Sequence, residues 1–170
     1  MRRAGAVERD APAMPAAAGR VVLRHDERRL RRKALTLEGG GRVLVDLAET
    51  TTLRAGDRLV LEDGTRVAVA AAAEPLLQVT GRDRRHLVEL AWHIGNRHLA
   101  AEIAETHIRV IDDHVVRAML EGLGAGVAAL EAPFEPARGA YHAHAGAARH
   151  AHDHDHDHRH AGDGSPAHGG

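Results

Sequence analysis

The spacing of apolar residues changes at Glu74-Pro75, and this change constrains the fold more than any other feature of the chain. Before it, from Val21 to Ala72, short apolar runs alternate with turn-forming residues such as Gly39-Gly40-Gly41 and Asp63-Gly64. An Asp-Gly pair between two apolar runs is typical of a hairpin turn. Short strands at such regular spacing predict a small β-barrel or sandwich over residues 19–73.

Residues 74–138 combine strand and helix patterns in a different order. A strand pattern at Leu76–Thr80 precedes apolar residues at helical spacing that stop near Gly95. Two short strand patterns follow, then a second helical pattern that ends at Gly124, and a last strand at Val127–Leu130. The order β-α-β-β-α-β predicts a ferredoxin-like domain, so the predicted fold class is α+β. The predicted N-caps of the two helices are Asp83 and either Asp112 or Asp113.

Both ends of the chain lack apolar periodicity. Residues 1–18 are rich in Ala and Pro and include the charged residues Glu8, Arg9 and Asp10, which do not suit the apolar core of a signal peptide, so we expect a disordered leader. Residues 139–170 are mainly Gly, Ala, His and Asp, so we expect a disordered tail. No run of about 18 apolar residues suggests a membrane span, and we expect a cytoplasmic protein.

The charge balance and the missing residue types narrow the possible functions. The formal net charge is -1, so no overall positive field would hold nucleic acid or an anionic membrane. Cysteine is absent, which leaves histidine and carboxylate as the ligands for any transition metal. Ser165 and Lys33 are the only serine and lysine, and no phosphate-binding Gly-rich loop or His-Glu-x-x-His motif is present. We therefore do not expect an enzyme.

Histidine is the strongest chemical signal in the sequence, and it concentrates in the tail. Every second residue from His150 to His160 is histidine, with aspartate among the residues between. Neutral imidazoles and carboxylates suit Ni(II), Zn(II), Cu(II) and Co(II). A disordered segment loses conformational entropy when it wraps around an ion, so we expect it to exchange the ion readily. Such binding favours storage and transfer over catalysis. The alternative interpretation of the histidine-rich tail is a purification tag or low-complexity drift. The proposed tail ligands are His142, His144, His150, His152, His154, His156, His158 and His160.

Of the histidines in the folded part, His98 is the best candidate for a metal ligand. It follows Gly95, which is predicted to end the first helix, and Asn96, which tolerates unusual backbone angles, so a turn should present its imidazole. One histidine cannot make a site, but a twofold homodimer would bring two copies together on its axis, where we expect His142 or His144 to complete the shell. His114, at the start of the second helix, is a possible secondary ligand. The other histidines, which we expect to serve packing, capping or surface roles, are His25, His86, His93 and His107.

Four segments together resemble the UreE family of urease accessory proteins, which are nickel metallochaperones. They are Ala91–His98 (AWHIGNRH), Asp113–Leu120 (DHVVRAML), Ala132–Pro136 (APFEP) and Gly139–His142 (GAYH). The similarity extends over residues 20–142. The Gly-Asn-Arg-His and Pro-Phe-Glu-Pro segments are the most specific part of it.

This resemblance implies a β-rich N-terminal domain that contacts protein partners and a ferredoxin-like domain that forms a homodimer. It also implies Ni(II) at the dimer interface, held by His98, with His142 to His160 corresponding to the family's histidine-rich C-terminus. The expected partners are apo-urease and urease accessory proteins, including the GTPase. The alternative is a general Zn/Cu/Ni buffer without a dedicated client. Metal affinity does not distinguish the two functions, because Cu(II) should bind more tightly than Ni(II) at almost any imidazole site.

Overall fold

The computed structural model describes residues 1–9 and 17–137, and the first part of it is a curled, half-barrel sheet. Its six strands are β1 (Arg2–Glu8), β2 (Arg20–Leu23), β3 (Arg29–Thr36), β4 (Arg42–Thr52), β5 (Arg58–Leu61) and β6 (Arg66–Ala71). They lie in the order β2-β6-β5-β1-β4-β3, with β1·β4 and β2·β6 parallel and the other pairs antiparallel. The predicted β-rich N-terminal part is confirmed.

Alternating side chains of this sheet form its core. In β4, Val43, Val45 and Leu47 are buried, and the residues between them are more exposed. This period of two is what a strand with one buried face requires. Gly64, in the predicted Asp-Gly turn between β5 and β6, has φ 79°, a backbone conformation that glycine adopts without steric cost.

The prediction of a disordered leader over residues 1–18 is wrong at its beginning. Residues Arg2–Glu8 form β1, which lies inside the sheet between β4 and β5, and Ala4 is completely buried. Its apolar residues are Ala4, Ala6 and Val7, which are small, so its sequence shows little apolar alternation. Pairing with a strand on each side stabilises it instead, and such tertiary context often overrides local strand propensity. Residues 10–16 lie outside the described residues.

The second part of the chain has the predicted ferredoxin-like fold. Its elements are β7 (Ala73–Thr80), α1 (Arg84–Gly95), β8 (Ala101–Ile103), β9 (Ile108–Ile111), α2 (His114–Gly122) and β10 (Gly126–Pro133). The strands lie in the order β10-β7-β9-β8 and every neighbouring pair is antiparallel. The two helices pack against one face of this sheet. The fully buried members of that core are Leu77, Val79, Leu87, Leu90, Ile94, Ile108, Val110 and Leu120.

Aspartate side chains begin both helices, as predicted. The Asp83 carboxylate accepts the His86 N–H at 2.8 Å, and the Asp113 carboxylate accepts the Val115 and Val116 N–H groups at 2.8 and 3.0 Å. Asp113 is therefore the cap of α2, not Asp112. Neither helix of the described part is long and apolar enough to cross a membrane.

Candidate metal-binding sites

His98 lies in the turn that follows α1. The Asn96 N–H donates to the Trp92 carbonyl at 3.0 Å, which extends the helical pattern by one residue, and the His98 N–H donates to the Gly95 carbonyl at 2.9 Å. Asn96, which tolerates unusual backbone angles, is right-handed helical here with φ -65°. The unusual residue is His98 itself, with φ 55°.

Among the described residues, His98 is the only non-glycine residue with positive φ. The left-handed conformation costs an L-residue about 1–2 kcal/mol, and such strain is often retained where function needs the geometry. The His98 side chain is exposed, and within the described part of the chain no hydrogen bond occupies its imidazole. Both ring nitrogens are therefore free of partners among residues 1–9 and 17–137.

An apolar stripe on α1 precedes this turn. Val88 and Trp92 are four residues apart, so they share a helix face, and they are 65% and 64% exposed. The Trp92 ring also lies edge-to-face against the His93 ring, with the centroids 5.0 Å apart. Large apolar side chains that share a helix face and stay exposed are typical of a surface that another protein covers.

His114 is the first residue of α2 and is exposed. The carboxylate of Asp113 beside it has a pKa below its usual range, chiefly because it accepts the Val116 N–H and then the Val115 N–H. The described residues place neither His98 nor His114 in a cluster of three or more metal-ligating side chains. The tail ligands His142, His144, His150, His152, His154, His156, His158 and His160 lie outside the described residues.

One cluster of three metal-ligating side chains does occur in residues 1–9 and 17–137, at a place that the sequence analysis did not identify. It consists of His25, Asp26 and Glu74, which each offer one ligand atom within 4.8 Å of the others. His25 and Asp26 are in a short 3-10 turn between β2 and β3, whereas Glu74 is in β7. Nothing in the sequence brings residues 25 and 74 together, so only the fold reveals the cluster.

The remaining histidines have structural contacts. His86 is buried, its Nδ1 accepts the Arg82 N–H at 3.1 Å, and its Nε2 lies 3.0 Å from the Leu123 carbonyl. These two contacts assign the ring proton to Nε2 and leave no lone pair for a metal. His107 Nδ1 lies 3.3 Å from the Thr106 hydroxyl.

Hydrogen bonds join the last described residues to the rest of the chain. The guanidinium of Arg28, buried at the start of β3, donates to the Phe134 carbonyl and to the Glu135 carboxylate. The Glu135 N–H donates to Glu102 at 2.9 Å, and the Ala137 N–H donates to the Ala101 carbonyl at 2.8 Å. The chain is thus anchored at β8, which begins three residues after the metal-ligand candidate at position 98.

Comparisons with known proteins agree with this fold. Residues 1–72 match the family model of the UreE urease accessory protein N-terminal domain, and residues 74–160 match that of its C-terminal domain. The urease accessory protein UreE of Brucella abortus biovar 1 (strain 9-941) is 58% identical over 124 residues, which cover 73% of this chain and 72% of that protein. UreE of Agrobacterium fabrum (strain C58) is 56% identical over 126 residues, which cover 74% and 78%.

Proposed function

Because the chain belongs to the UreE urease accessory protein family, we propose that it is a nickel chaperone for urease maturation. In this proposal it binds Ni(II) in the cytoplasm through His98 of both subunits of a homodimer, with His142 or His144 completing the shell. It then delivers the ion to apo-urease together with other urease accessory proteins, including the GTPase. The function is ligand exchange and requires no catalytic residue.

The observation that carries this proposal is the state of His98. Its imidazole is exposed and free of hydrogen bonds within the described residues, and its backbone occupies a strained conformation that a side chain with no task would not require. A flexible imidazole that keeps both nitrogens free can bind an ion and release it. Nickel is one of the ions that imidazole ligands suit.

The apolar stripe of Val88 and Trp92 supports the homodimer. Both residues are exposed on the helix whose C-terminal turn carries His98. A twofold interface uses the same patch on both subunits, so an interface built on this stripe would place the two His98 turns near one axis. Two imidazoles from a symmetric pair leave coordination positions open. His142 follows the anchored Ala137 by five residues in the sequence and is the first tail histidine able to fill one.

Nickel titration of variants tests the assignment. We expect the chain without residues 143–170 to lose much of its nickel capacity but to keep its dimer and the His98 site. Adding His98→Ala to that shortened chain should remove the remaining interface site, whereas His93→Ala, in the last turn of the same helix, should leave it intact. If His98→Ala left the stoichiometry of the shortened chain unchanged, the interface site would be wrongly assigned.

The pH dependence gives a second test of the same ligands. An imidazole must be neutral to bind metal, and its ordinary pKa is about 6.5. We therefore expect nickel loading to weaken in mildly acidic buffer relative to mildly alkaline buffer. Undiminished nickel affinity in acid would exclude histidine ligation.

A metal buffer without a client is the second candidate, favoured by the alternating His/Asp tail. Metal affinity does not separate it from a chaperone, because Cu(II) outbinds Ni(II) at imidazole sites in either case. Association with partner proteins does distinguish a buffer from a chaperone. If nickel-loaded protein fails to co-purify with urease or with the GTPase accessory protein, the buffer becomes the better description.

A further inference from the structure

We propose that His25, Asp26 and Glu74 form a second divalent-cation site, which holds a transition ion at the junction of the two sheets. His25 and Asp26 come from the 3-10 turn that follows β2, and Glu74 comes from β7 of the ferredoxin-like domain. One ligand atom of each residue lies within 4.8 Å of the others. This site uses none of the residues of the proposed interface site.

The geometry of His25 and Glu74 suits two adjacent ligands of one ion. His25 Nδ1 lies 2.9 Å from a carboxylate oxygen of Glu74. Two ligand atoms at this separation subtend roughly a right angle at an ion about 2.1 Å from each, a distance typical of imidazole and carboxylate ligands. The ion would take the place of the proton between them, and in the neutral ring that proton would move to Nε2, which leaves Nδ1 free to bind the metal.

The fold already fixes these ligands in place. The other carboxylate oxygen of Glu74 accepts the His25 N–H at 2.8 Å, and the His25 ring packs edge-to-face against buried Phe134, with centroids 5.1 Å apart. Glu74 is only 1% exposed. Rigid ligands of this kind lose little conformational entropy when they bind an ion.

The charge of the cluster also favours a cation. The guanidinium of Arg24 is shared between two carboxylates, at 3.5 Å from Glu74 and 3.6 Å from Asp26. With His25 neutral, the cluster therefore has one positive and two negative charges. Arg24 is more than half exposed and can move into solvent when a divalent ion replaces its charge.

Nuclear magnetic resonance of the full-length dimer, titrated with Ni(II), tests this site directly. Paramagnetic Ni(II) broadens amide signals near it, so each site is observed separately in one spectrum. We expect the amides of His25, Asp26 and Glu74 to broaden in the wild type as a group separate from residues 95–98. In His25→Gln this broadening should disappear, while residues 95–98 still respond.

Asp26→Asn provides the variant that does not disturb packing, because Asp26 is exposed and the His25–Glu74 hydrogen bond remains. It should raise the nickel concentration needed for half-broadening by at least about tenfold, since even residues that only support a ligand typically contribute that much to affinity. His107→Gln is the matched control and should have no effect on this group. Broadening that is absent in the wild type, or equal in wild type, His25→Gln and Asp26→Asn, would show that the cluster is only an ion-pair network.

Discussion

Replacing His98 by glycine separates the strain of its turn from its proposed role as a metal ligand. At φ 55°, a non-glycine residue pays about 1–2 kcal/mol that glycine does not. Glycine in turn loses about 0.5–1 kcal/mol to the greater freedom of the unfolded chain. The difference predicts that metal-free His98→Gly is about 0.5–1 kcal/mol more stable than His98→Ala, and both variants should lack the proposed interface site.

Urea unfolding of the chelator-treated proteins, at one protein concentration, measures this difference. With a urea dependence of about 1–3 kcal/mol per molar, the midpoint of His98→Gly should lie a few tenths molar above that of His98→Ala. Ala100→Gly, two residues further on with negative φ, is the matched control and should lower the midpoint instead. Equal midpoints for His98→Gly and His98→Ala would refute the claim that the turn is strained.

Three further substitutions test contacts that hold the helices in place. His86→Ala leaves the Arg82 N–H and the Leu123 carbonyl without partners, and each unsatisfied group costs about 1–3 kcal/mol of stability. The urea midpoint should therefore fall far more than in His93→Ala, while the nickel stoichiometry stays unchanged. Gly81→Ala would place a Cβ 2.7 Å from the Leu87 backbone nitrogen and should destabilise by about 1–3 kcal/mol, whereas Gly95→Ala, with open space around it, should not. Asp113→Asn keeps an N-cap but removes its charge. The pKa of Asp113 is lower in the folded state than in the unfolded state, where it is about 3.9. The charged carboxylate therefore stabilises the fold above about pH 3.9, and this stabilisation is lost as the pH falls through the folded-state pKa. Thermal melts should show that the advantage of the wild type over Asp113→Asn disappears in acid.

The elements that could be predicted from the sequence are those whose signals are local. The apolar spacing before Gly95 and the capping Asp83 lie on one helix, so a short window of sequence contains the whole pattern. The strand at Arg2–Glu8 has no such pattern, because the bonds that stabilise it go to β4 and β5, more than 35 residues away in the chain. A strand paired on both sides can form from a segment whose few apolar residues are small.

The same distinction explains the candidate sites. His98 was chosen as a candidate from its neighbours Gly95 and Asn96, but its own positive φ was not predicted. The sequence shows which residues tolerate a conformation and not which one adopts it. The His25–Glu74 pair joins residues 49 positions apart. The parallel pairing of β2 with β6 brings them together, because Leu23 lies opposite Ala71 just before β7 begins.

Among the histidines of the described part, the number of hydrogen-bonded ring nitrogens distinguishes metal-ligand candidates better than the exposure of the side chain does. His86 uses both nitrogens for backbone groups, so it cannot bind metal without breaking the contact between α1 and α2. His25 uses one nitrogen, and its partner is itself a carboxylate, so an ion can replace the shared proton. His98 uses neither, and its strained backbone holds the ring in solvent. The proposed chaperone function requires release of the ion, and of these three histidines His98 is the one whose imidazole would have the fewest contacts to remake on transfer.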